Sequence, residues 1–331
     1  AIWHSKITPK QKRIIWQGII NNRIKILVGA RSALLLPFKK LGLIIVDEEH
    51  DTSYKQDEGV IYNARDMAIS RAKFENIPIH LVTAVPSIET FKNVCSKKYR
   101  HIKILKRYND IPLPKTKIIN LNLKKLKKRS IADDTINLVK KYLEDGNQVL
   151  FFLNRRGYAP YLVCKNCGLK QVCSNCSLYL TFHKIKNKAI CHHCSFEKKI
   201  ESKCKLEGQC DFIMYGPGVE KIFSEIKDIF PSKKIKIFSS DYLKKKEVVK
   251  KFFKEIKDNK IDILVGTQMI SKGFNFPKLN CIVVVDADFS GRGYDLRSTE
   301  KNIQLYQQLS GRAGRFSKDS IVIYQTLTPE D

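Results

Sequence analysis

Short apolar runs alternate with amphipathic stretches along most of the chain, and this pattern predicts strands that alternate with helices. The run 43–46, Leu-Ile-Ile-Val, has no helical spacing and predicts a strand that is buried on both faces. Further strands are predicted at 24–28, 79–82, 148–153, 235–238, 261–265 and 282–285. Helices are predicted at 64–74, 87–94 (capped by Ser87), 133–145 (stopped by Gly146), 219–229 and 243–257, and another closes near residue 308. Strands that alternate with helices imply parallel sheets and an α/β fold.

The order of the predicted elements divides the chain into two lobes, and 331 residues are enough for each lobe to have its own core. We assign residues 1–105 to the first lobe and residues 133–163 and 211–331 to the second. Residues 106–132 are interpreted as the connection, because Pro112 and Pro114 interrupt the pattern and a dense basic run follows. Eight of the ten cysteines fall at 164–210, which predicts an insertion within the second lobe.

Polar residues follow the 43–46 strand directly, at the end where an open α/β sheet places its ligands. One acid there can hold Mg²⁺ through water, and a second can polarise an attacking water. We therefore interpret Asp47 as the metal-side carboxylate and Glu48 as the base that orients water on a γ-phosphate. We expect His50 to sense the other side of the cleft. The alternative is a buried strand that ends in a solvated acidic loop.

Two segments are typical of contacts with nucleic acid. A glycine turn after the 24–28 strand carries Arg31 and Ser32, which suits a contact with the phosphate backbone. A tight turn with one exposed arginine is an equal alternative. The loop 51–62 carries Tyr54, Lys55 and Tyr62, and aromatic plus cationic residues on a loop suit stacking on unpaired bases.

The formal net charge of +28 suits a polyanion such as DNA or RNA, although an A+T-rich genome gives a similar excess of lysine without any binding function. No apolar run approaches the roughly 18 residues needed to span a bilayer. There is also no signal peptide, so we expect a cytoplasmic protein with no membrane partner. The chain opens on Ala1 and not on Met, and we expect it to be a piece of a longer protein.

The cysteines form three strict C-x-x-C pairs and one looser pair: Cys164/Cys167, Cys173/Cys176, Cys191/Cys194 and Cys204/Cys210. Two C-x-x-C turns complete one tetrahedral zinc site, so the four pairs predict two zinc ions. Disulfides are rare in the cytoplasm, and a thioredoxin-type motif needs only one such pair. Three histidines could also be ligands but are more often bystanders: His183, His192 and His193. Cys95 and Cys281 lie outside the insertion and are expected to be small buried residues.

Together these motifs resemble the PriA family, the superfamily 2 DNA helicases of bacterial replication restart. The resemblance covers nearly the whole chain and rests on the turn 29–33, the runs 47–50 and 54–56, residues 154–160, the paired cysteines, 266–269 and 308–315. It implies two RecA-like parallel-sheet lobes, the first incomplete, with a cysteine-rich zinc-binding insertion in the second. It also implies ATP-dependent 3′→5′ unwinding with Mg²⁺, and the assembly of the primosome at stalled or collapsed forks. The implied partners are forked and single-stranded DNA, single-stranded DNA-binding protein and other primosome proteins.

The resemblance assigns roles to individual residues. Asp47 and Glu48 resemble the Walker B pair, and the loop with Tyr54 and Tyr62 resembles one that couples single-strand binding to hydrolysis. Residues that resemble parts of the nucleotide site are Gly266, Gln308, Arg312 and Arg315, the two arginines being placed to reach the γ-phosphate. Thr267 and Gln268 are implied DNA contacts. One zinc ion would be held by Cys164, Cys167 and Cys204, and the other by Cys173, Cys176, Cys191 and Cys194.

The chain departs from the family at four places. Glu207 stands where the fourth ligand of the outer zinc site is expected, so either Cys210 or Glu207 completes that site. Val85 replaces a hydroxyl residue, which weakens the coupling role of its loop, and Phe274 and Asn275 replace His and Asp. No G-x-x-x-x-G-K-[ST] motif occurs, so we expect the 331 residues alone to lack DNA-stimulated ATPase.

Two alternatives compete with the helicase interpretation. The first is a non-catalytic, zinc-dependent single-stranded DNA-binding or interaction fragment from a split or decaying helicase gene. It contains the same residues, so the motifs do not separate the two. The second is a superfamily 2 recombination helicase, which lacks the cysteine-rich insertion.

Overall fold

The computed structural model describes residues 1–105, 107–121, 130–153, 161–164, 171–176, 180–183, 188–191, 194, 196–199, 212–215, 219–238, 246–267, 276–287, 297–326 and 329. These residues form two compact units, Ala1–His101 and Ile102–Asp331. No helix within the described ranges has both the length and the apolar character that crossing a membrane requires.

The first unit consists of short strands and three helices. In chain order they are β1 (Ile2–Trp3), α1 (Pro9–Ile20), β2 (Val28–Gly29), β3 (Ile44–Asp47), β4 (Lys55–Gln56), β5 (Tyr62–Asn63), α2 (Ala64–Phe74), β6 (Ile79–Val82) and α3 (Ile88–Cys95). β1 pairs with β2 and β3 pairs with β6, both in parallel, whereas β4 and β5 form an antiparallel pair. The predictions for α2, β6 and α3 are confirmed, including Ser87, whose side chain accepts from the Thr90 N–H as the α3 cap.

The first helix, α1, follows β1 and was not predicted from the sequence. Thr8 caps α1 through a reciprocal pair of bonds with Gln11, the arrangement that satisfies two of the free N–H groups at a helix start. The apolar face of α1 packs Ile19 against Trp3 and Leu36, which form the small core beneath β1 and β2. The predicted strand at 24–28 is shorter than expected, since only Val28 and Gly29 pair with β1.

β3 is a strand, as predicted, but the prediction that both of its faces are buried is wrong. Val46 is buried, whereas Ile45 is 62% exposed. The physical reason is that β3 pairs with β6 alone in the described part of the first unit and packs against α2 on one face. A run of aliphatic residues identifies the strand but does not show how many of its faces are covered.

The second unit contains the larger sheet. Its elements are β7 (Lys115–Asn120), α4 (Asp133–Glu144), β8 (Gln148–Phe152), β9 (Tyr161–Cys164), β10 (Thr181–His183), β11 (Lys188–Ile190), β12 (Glu197–Lys199), β13 (Phe212–Tyr215), α5 (Val219–Ile229), β14 (Ile235–Phe238), α6 (Lys246–Lys257), β15 (Ile263–Gly266), β16 (Leu279–Val284), α7 (Ser298–Ser310) and β17 (Ile321–Thr326). The predicted helices and strands of this unit are confirmed to within a few residues.

Six parallel strands form the sheet of the second unit in the order β14-β15-β8-β16-β17-β7. Alternate residues of β8 face opposite sides, and both sides are fully buried. Phe151 packs in the core that includes residues of α4 and α5, whereas Phe152 packs in the core that includes residues of α6 and α7. Helices therefore cover both faces of the sheet, and the predicted α/β class is confirmed.

Two strands of this sheet were missing from the prediction. β17 lies beyond the last motif, and β7 lies inside the segment 106–132 that was interpreted as a connection. β7 is an edge strand with the sequence Lys-Thr-Lys-Ile-Ile-Asn, and of its residues only Ile119 is buried. An edge strand needs few apolar residues, so its sequence lacks the aliphatic run by which the other strands were predicted. Part of the predicted connection therefore belongs to the sheet.

The cysteine-rich segment is joined to the second unit by a two-stranded neck. β9 and β13 pair antiparallel, with Cys164 opposite Phe212. The chain therefore leaves and returns at neighbouring positions. A separate antiparallel sheet, β10-β11-β12, lies within the segment.

Candidate functional site

The acidic residues at the end of β3 are held by an unusual backbone. Glu48 has φ +48°, the left-handed region that residues with a side chain rarely adopt. The next N–H, of Glu49, donates to Val82 O at 3.1 Å and so continues the pairing with β6. The chain thus turns at Glu48 while it stays fixed to the neighbouring strand, and Asp47 remains exposed. Backbone strain of this kind is common at functional sites.

His50 connects this end of β3 to the turn after β6. Its Nδ1 lies 2.7 Å from the Thr83 hydroxyl and 3.7 Å from Glu48 Oε2. The Thr83 hydroxyl also donates to Val85 O at 2.7 Å and accepts from Val85 N at 3.1 Å, so it joins His50 to the backbone of this turn. His50 therefore contacts the turn 83–87 of its own unit. The contact uses Thr83, and the Val85 replacement does not remove it.

Glu49, which sequence reasoning did not single out, is the most buried of the acidic residues, at 1% exposure. One carboxylate oxygen accepts from Ser87 N at 2.7 Å. The other accepts from Ser87 Oγ (3.0 Å), Thr90 Oγ1 (2.9 Å) and Arg65 Nη1 (3.1 Å). The cluster of Glu49, Arg65, Ser87 and Thr90, called the Glu49 cluster below, joins β3 to α2 and to the start of α3.

Arg65 remains charged inside the Glu49 cluster. Burial lowers its pKa, but the hydrogen bond and charge of Asp66 and the carboxylate of Glu49 outweigh burial, so the net shift is upward. Arg65 Nε also contacts Asp66 at 2.8 Å, and Nη1 donates to Ser87 Oγ at 2.8 Å. The signal that could have revealed this cluster is the pairing of a third acid in the run 47–50 with an arginine early in α2.

The side chain of Tyr54 contacts the candidate acidic site instead of extending freely from its loop. Its hydroxyl donates to Asp47 O at 2.6 Å. Burial raises the pKa of Tyr54, and the charges of Asp47, Asp51, Glu48 and Glu49 raise it further, so the hydroxyl keeps its proton. The side chain of Lys55 forms an exposed ion pair with Asp57. Tyr62 is partly buried on β5, opposite Gln56.

The turn that carries Arg31 and Ser32 is a short 3₁₀ segment, Arg31–Leu35, tied to its surroundings. Arg31 Nη1 donates to Lys55 O, and Ser32 Oγ accepts from Trp3 Nε1 at 3.1 Å. Gly29 before it is required, because a Cβ there would lie 2.4 Å from Ala33 Cβ and 2.9 Å from Trp3 O. The structure thus brings Arg31 to the loop with Tyr54 and Lys55.

Gln308, Arg312 and Arg315 lie at the end of α7 in the second unit. Gln308 is in the last turn of the helix, and the residues 311–315 form what we call the arginine turn. Gly314 has φ +62°, and a Cβ there would meet Ser320 Oγ at 2.1 Å, so only glycine fits. Arg315 is exposed, and its Nε donates to Gly311 O at 3.2 Å. Gly266 ends β15, and Thr267 beside it is buried, unlike a residue exposed for DNA contact.

Four thiols converge in the cysteine-rich segment: Cys173, Cys176, Cys191 and Cys194. Their sulfur atoms all lie within 4.8 Å of one another, and three of the separations are 3.4, 3.5 and 3.7 Å. These distances are too long for a disulfide bond, which is about 2.05 Å. A tetrahedral zinc site with Zn–S bonds of about 2.3 Å has sulfurs about 3.8 Å apart, so this donor set fits a metal such as zinc.

The local packing positions these thiols without a large core. Cys173 and Cys191 are buried with Leu180 and Ala189, and Cys191 N donates to Phe196 O at 2.8 Å. Asn175 N donates to Cys173 Sγ at 3.4 Å, and this bond helps to hold the sulfur in place. The grouping of the inner cysteine pairs, implied by the resemblance, is the one the structure has.

Several predicted site residues fall outside the described residues: Cys167, Cys204, Cys210, Glu207, Gln268, His192 and His193. Cys164 is described only as the last residue of β9. Of the two remaining cysteines, Cys281 is fully buried, and burial raises its pKa to about 12. The expectation that Cys95 is buried is wrong, because it ends α3 on the exposed side of the helix.

The sequence of this chain is similar to those of known helicase proteins. A model of the helicase conserved C-terminal domain matches residues 186–317. Curated proteins named replication restart protein PriA match throughout: that of Rickettsia felis is 44% identical over 100% of this chain and 51% of its own length. That of Haemophilus influenzae is 36% identical over 99% and 45%, and that of Bacillus subtilis 33% identical over 99% and 41%. The chain spans about half the length of the curated relatives it matches.

Among solved structures, the DUF1998 helicase MrfA bound to DNA covers 98% of this chain, and the match spans 38% of that protein. The TM-score is 0.53 and the sequence identity is 13%. At this identity the likeness concerns the fold alone, and it agrees with the α/β architecture.

We expect Glu49→Gln to destabilise the first unit by about 3 kcal/mol, because it removes the buried charge that faces Arg65 Nη1 and leaves only Asp66, at Nε, to pair with the guanidinium. Both tryptophans of the chain, Trp3 and Trp16, lie in this unit, so urea unfolding followed by tryptophan fluorescence reports on it. Glu58→Gln, at an exposed glutamate, is the matched control and should unfold like the parent.

The double variant Glu49→Gln/Arg65→Met completes a double-mutant cycle. It should lose less than the sum of the single variants, because removing both charges leaves neither one unpaired. Strict additivity would show that Arg65 and Glu49 are not coupled.

Proposed function

The chain belongs to the PriA family of replication restart proteins, and on this premise we propose that it is the central part of an ATP-dependent 3′→5′ DNA helicase. The intact helicase would recognise stalled or collapsed replication forks and restart replication by primosome assembly. The observation that carries this proposal is the end of β3, where Asp47 and Glu48 are adjacent and Glu48 is held at φ +48°.

Each residue at this end has a role in the proposal. Asp47, which is exposed, would hold Mg²⁺ through water, and Glu48 would orient the water that attacks the γ-phosphate of ATP. His50 would report the state of this site to the turn 83–87 through its bond to Thr83. Gly266 and Gln308 would contribute to the nucleotide site, and Arg312 with Arg315 would stabilise charge on the γ-phosphate.

DNA contacts are assigned to the first unit and to one residue that follows β15: Arg31, Ser32, Tyr54, Lys55, Tyr62 and Gln268. Thr267 is left out because it is buried. The bond from Arg31 to Lys55 O and the bond from Tyr54 to Asp47 O are consistent with this assignment, because they would connect DNA held by this loop to the acidic site. Single-stranded DNA-binding protein and other primosome proteins are proposed as partners of the intact protein.

The cysteine-rich segment would hold two zinc ions. Cys173, Cys176, Cys191 and Cys194 supply four thiolates for one of them. Cys164, Cys167 and Cys204 would hold the other, with either Cys210 or Glu207 as the fourth ligand. A segment with few large apolar residues would gain much of its folding free energy from these ions.

The decisive experiment compares two proteins. The isolated 331 residues contain no G-x-x-x-x-G-K-[ST] and should show no DNA-stimulated ATP hydrolysis and no unwinding. The same residues preceded by the amino-terminal segment of the Rickettsia felis relative, called the extended protein below, should show both.

Arg312→Ala in the extended protein should lower ATP turnover by about 1,000-fold or more while the melting temperature stays unchanged.

Lys318→Ala, at an exposed lysine just after the arginine turn, is the control and should keep full turnover. Unchanged turnover in Arg312→Ala would reject its role at the γ-phosphate. An extended protein that binds DNA but hydrolyses no ATP would favour the non-catalytic DNA-binding alternative. Turnover by the isolated residues that Glu48→Gln abolishes would reveal an unrecognised phosphate site.

Single-stranded DNA binding should weaken when Tyr54 and Tyr62 are both replaced by alanine, since each base stacked on an aromatic ring contributes about 1–3 kcal/mol. Titration of a labelled oligonucleotide at two salt concentrations measures the affinity and its salt dependence. Tyr54→Phe keeps the ring but removes the bond to Asp47 O, so it separates stacking from positioning. Tyr99→Ala is the control. If the double variant binds like the parent, the loop is not a stacking platform.

Elemental analysis of the purified protein should give close to two zinc ions per chain. Cys173→Ser with Cys191→Ser should remove one of them, because these two thiols are buried in the four-cysteine group. Cys95→Ser, at an exposed cysteine outside the segment, should leave the count unchanged. A parent count near one would mean that only the four-cysteine group binds, and folded protein with none would exclude zinc.

A further inference from the structure

Arg107, which precedes β7, reaches the arginine turn. Its Nη2 donates to Gly311 O at 3.2 Å and to Ala313 O at 3.3 Å. Its Nη1 donates to Pro112 O at 3.0 Å, so the guanidinium is anchored on both sides. Arg107 and Gly311 are 204 residues apart in sequence and belong to the same compact unit. None of the sequence motifs included Arg107.

The arginine turn needs such a partner because α7 ends at Ser310. The last carbonyls of a helix have no intrahelical donors, and a positive side chain there also interacts favourably with the negative end of the helix dipole. Arg107 supplies a donor to the C-cap carbonyl of Gly311 and a second donor to Ala313 O in the turn that follows. On the other side of the turn, Gly314 N donates to Leu279 O at 3.0 Å, so the backbone of the turn is held at both ends.

The arrangement has an electrostatic cost. Arg315 Nε donates to the same Gly311 carbonyl, so two guanidinium groups converge on one acceptor. Burial lowers the pKa of Arg107, and the positive charge of Arg315 lowers it further. Two like charges beside one carbonyl repel each other and do not stabilise the fold. A bound anion would offset this repulsion, because guanidinium groups pair strongly with phosphate.

We propose that Arg107 is a positioning residue for the arginine turn: its bonds to the Gly311 and Ala313 carbonyls fix the backbone that presents Arg312 and Arg315. This inference rests on the proposed function, in which these two arginines act on the γ-phosphate of ATP. In its hydrogen bonds with the described residues, Arg107 donates to the backbone carbonyls of Pro112, Gly311 and Ala313. Its contribution is therefore geometric, and a displacement of about 1 Å at a reacting group can lower a rate by about 100-fold.

The test uses ATP turnover and hydrogen exchange in the extended protein. Arg107→Ala should lower kcat by about 10- to 100-fold, with the KM for ATP and the affinity for single-stranded DNA close to those of the parent. The amide hydrogens of residues 312–314 should exchange faster. Arg107→Lys should be nearly as slow as Arg107→Ala, because an ammonium group lacks the planar fork that reaches two carbonyls at once.

Two further measurements separate positioning from folding. Lys115→Ala removes a neighbouring cation that forms an exposed ion pair with Asp319, and it should behave like the parent. Guanidinium ion at low concentration should restore part of the kcat of Arg107→Ala and leave Lys115→Ala unaffected.

Parental kcat in Arg107→Ala would overturn the inference. A loss of kcat that is fully accounted for by a lower melting temperature would overturn it too, because Arg107 would then support folding alone. If the extended parent hydrolyses no ATP, the proposed function fails. Exchange at residues 312–314 then still decides whether Arg107 holds the turn, and unchanged exchange rejects the inference on its own.

Discussion

The carboxylate of Glu49 is the constraint on which the first unit depends. Burying a carboxylate costs several kcal/mol unless its oxygens are satisfied, and here Arg65, Ser87 and Thr90 all donate to it. Because Arg65 begins α2 and Ser87 caps α3, both helices must dock on β3 together for the charge to be accommodated. The bonds act from the buried side of the strand end, and they leave the exposed side to Asp47.

This anchoring explains how the strand end tolerates a strained residue. Glu48 lies at φ +48° between Asp47, which receives the Tyr54 hydroxyl at its carbonyl, and Glu49, which is fixed on both backbone and side chain. A residue held on both sides cannot relax its backbone without breaking bonds at one of them. The direction in which its side chain leaves the backbone is therefore set by the neighbours, and His50 extends the same connection to Thr83.

The sequence predicted the parts of the fold that repeat locally and missed those that depend on distant partners. The buried strands of the second unit were found to within a few residues because aliphatic runs and helical spacing are local signals. β7 was missed because an edge strand buries only Ile119, and the exposure of Ile45 was missed because a run of residues says nothing about what covers it. The convergence of the four thiols was expected only in part: C-x-x-C spacing is a local signal for each pair, whereas the grouping of these two pairs was implied by the family resemblance. Glu49 with Thr90, and Arg107 with Gly311, pair across 41 and 204 residues, and no short pattern marks either pair.

The neck formed by β9 and β13 explains how the cysteine-rich segment is inserted in a chain that forms a parallel sheet. The main sheet requires only that the chain between β8 and α5 begin and end at neighbouring positions. The antiparallel pair β9 and β13 meets this requirement, whatever the length of the segment between the two strands. The thiol group buries Leu180 and Ala189 with its own cysteines, and these residues form a cluster separate from both cores of the six-stranded sheet. Metal binding would therefore stabilise the segment locally, because the packing that positions Phe151 and Phe152 does not involve the thiols.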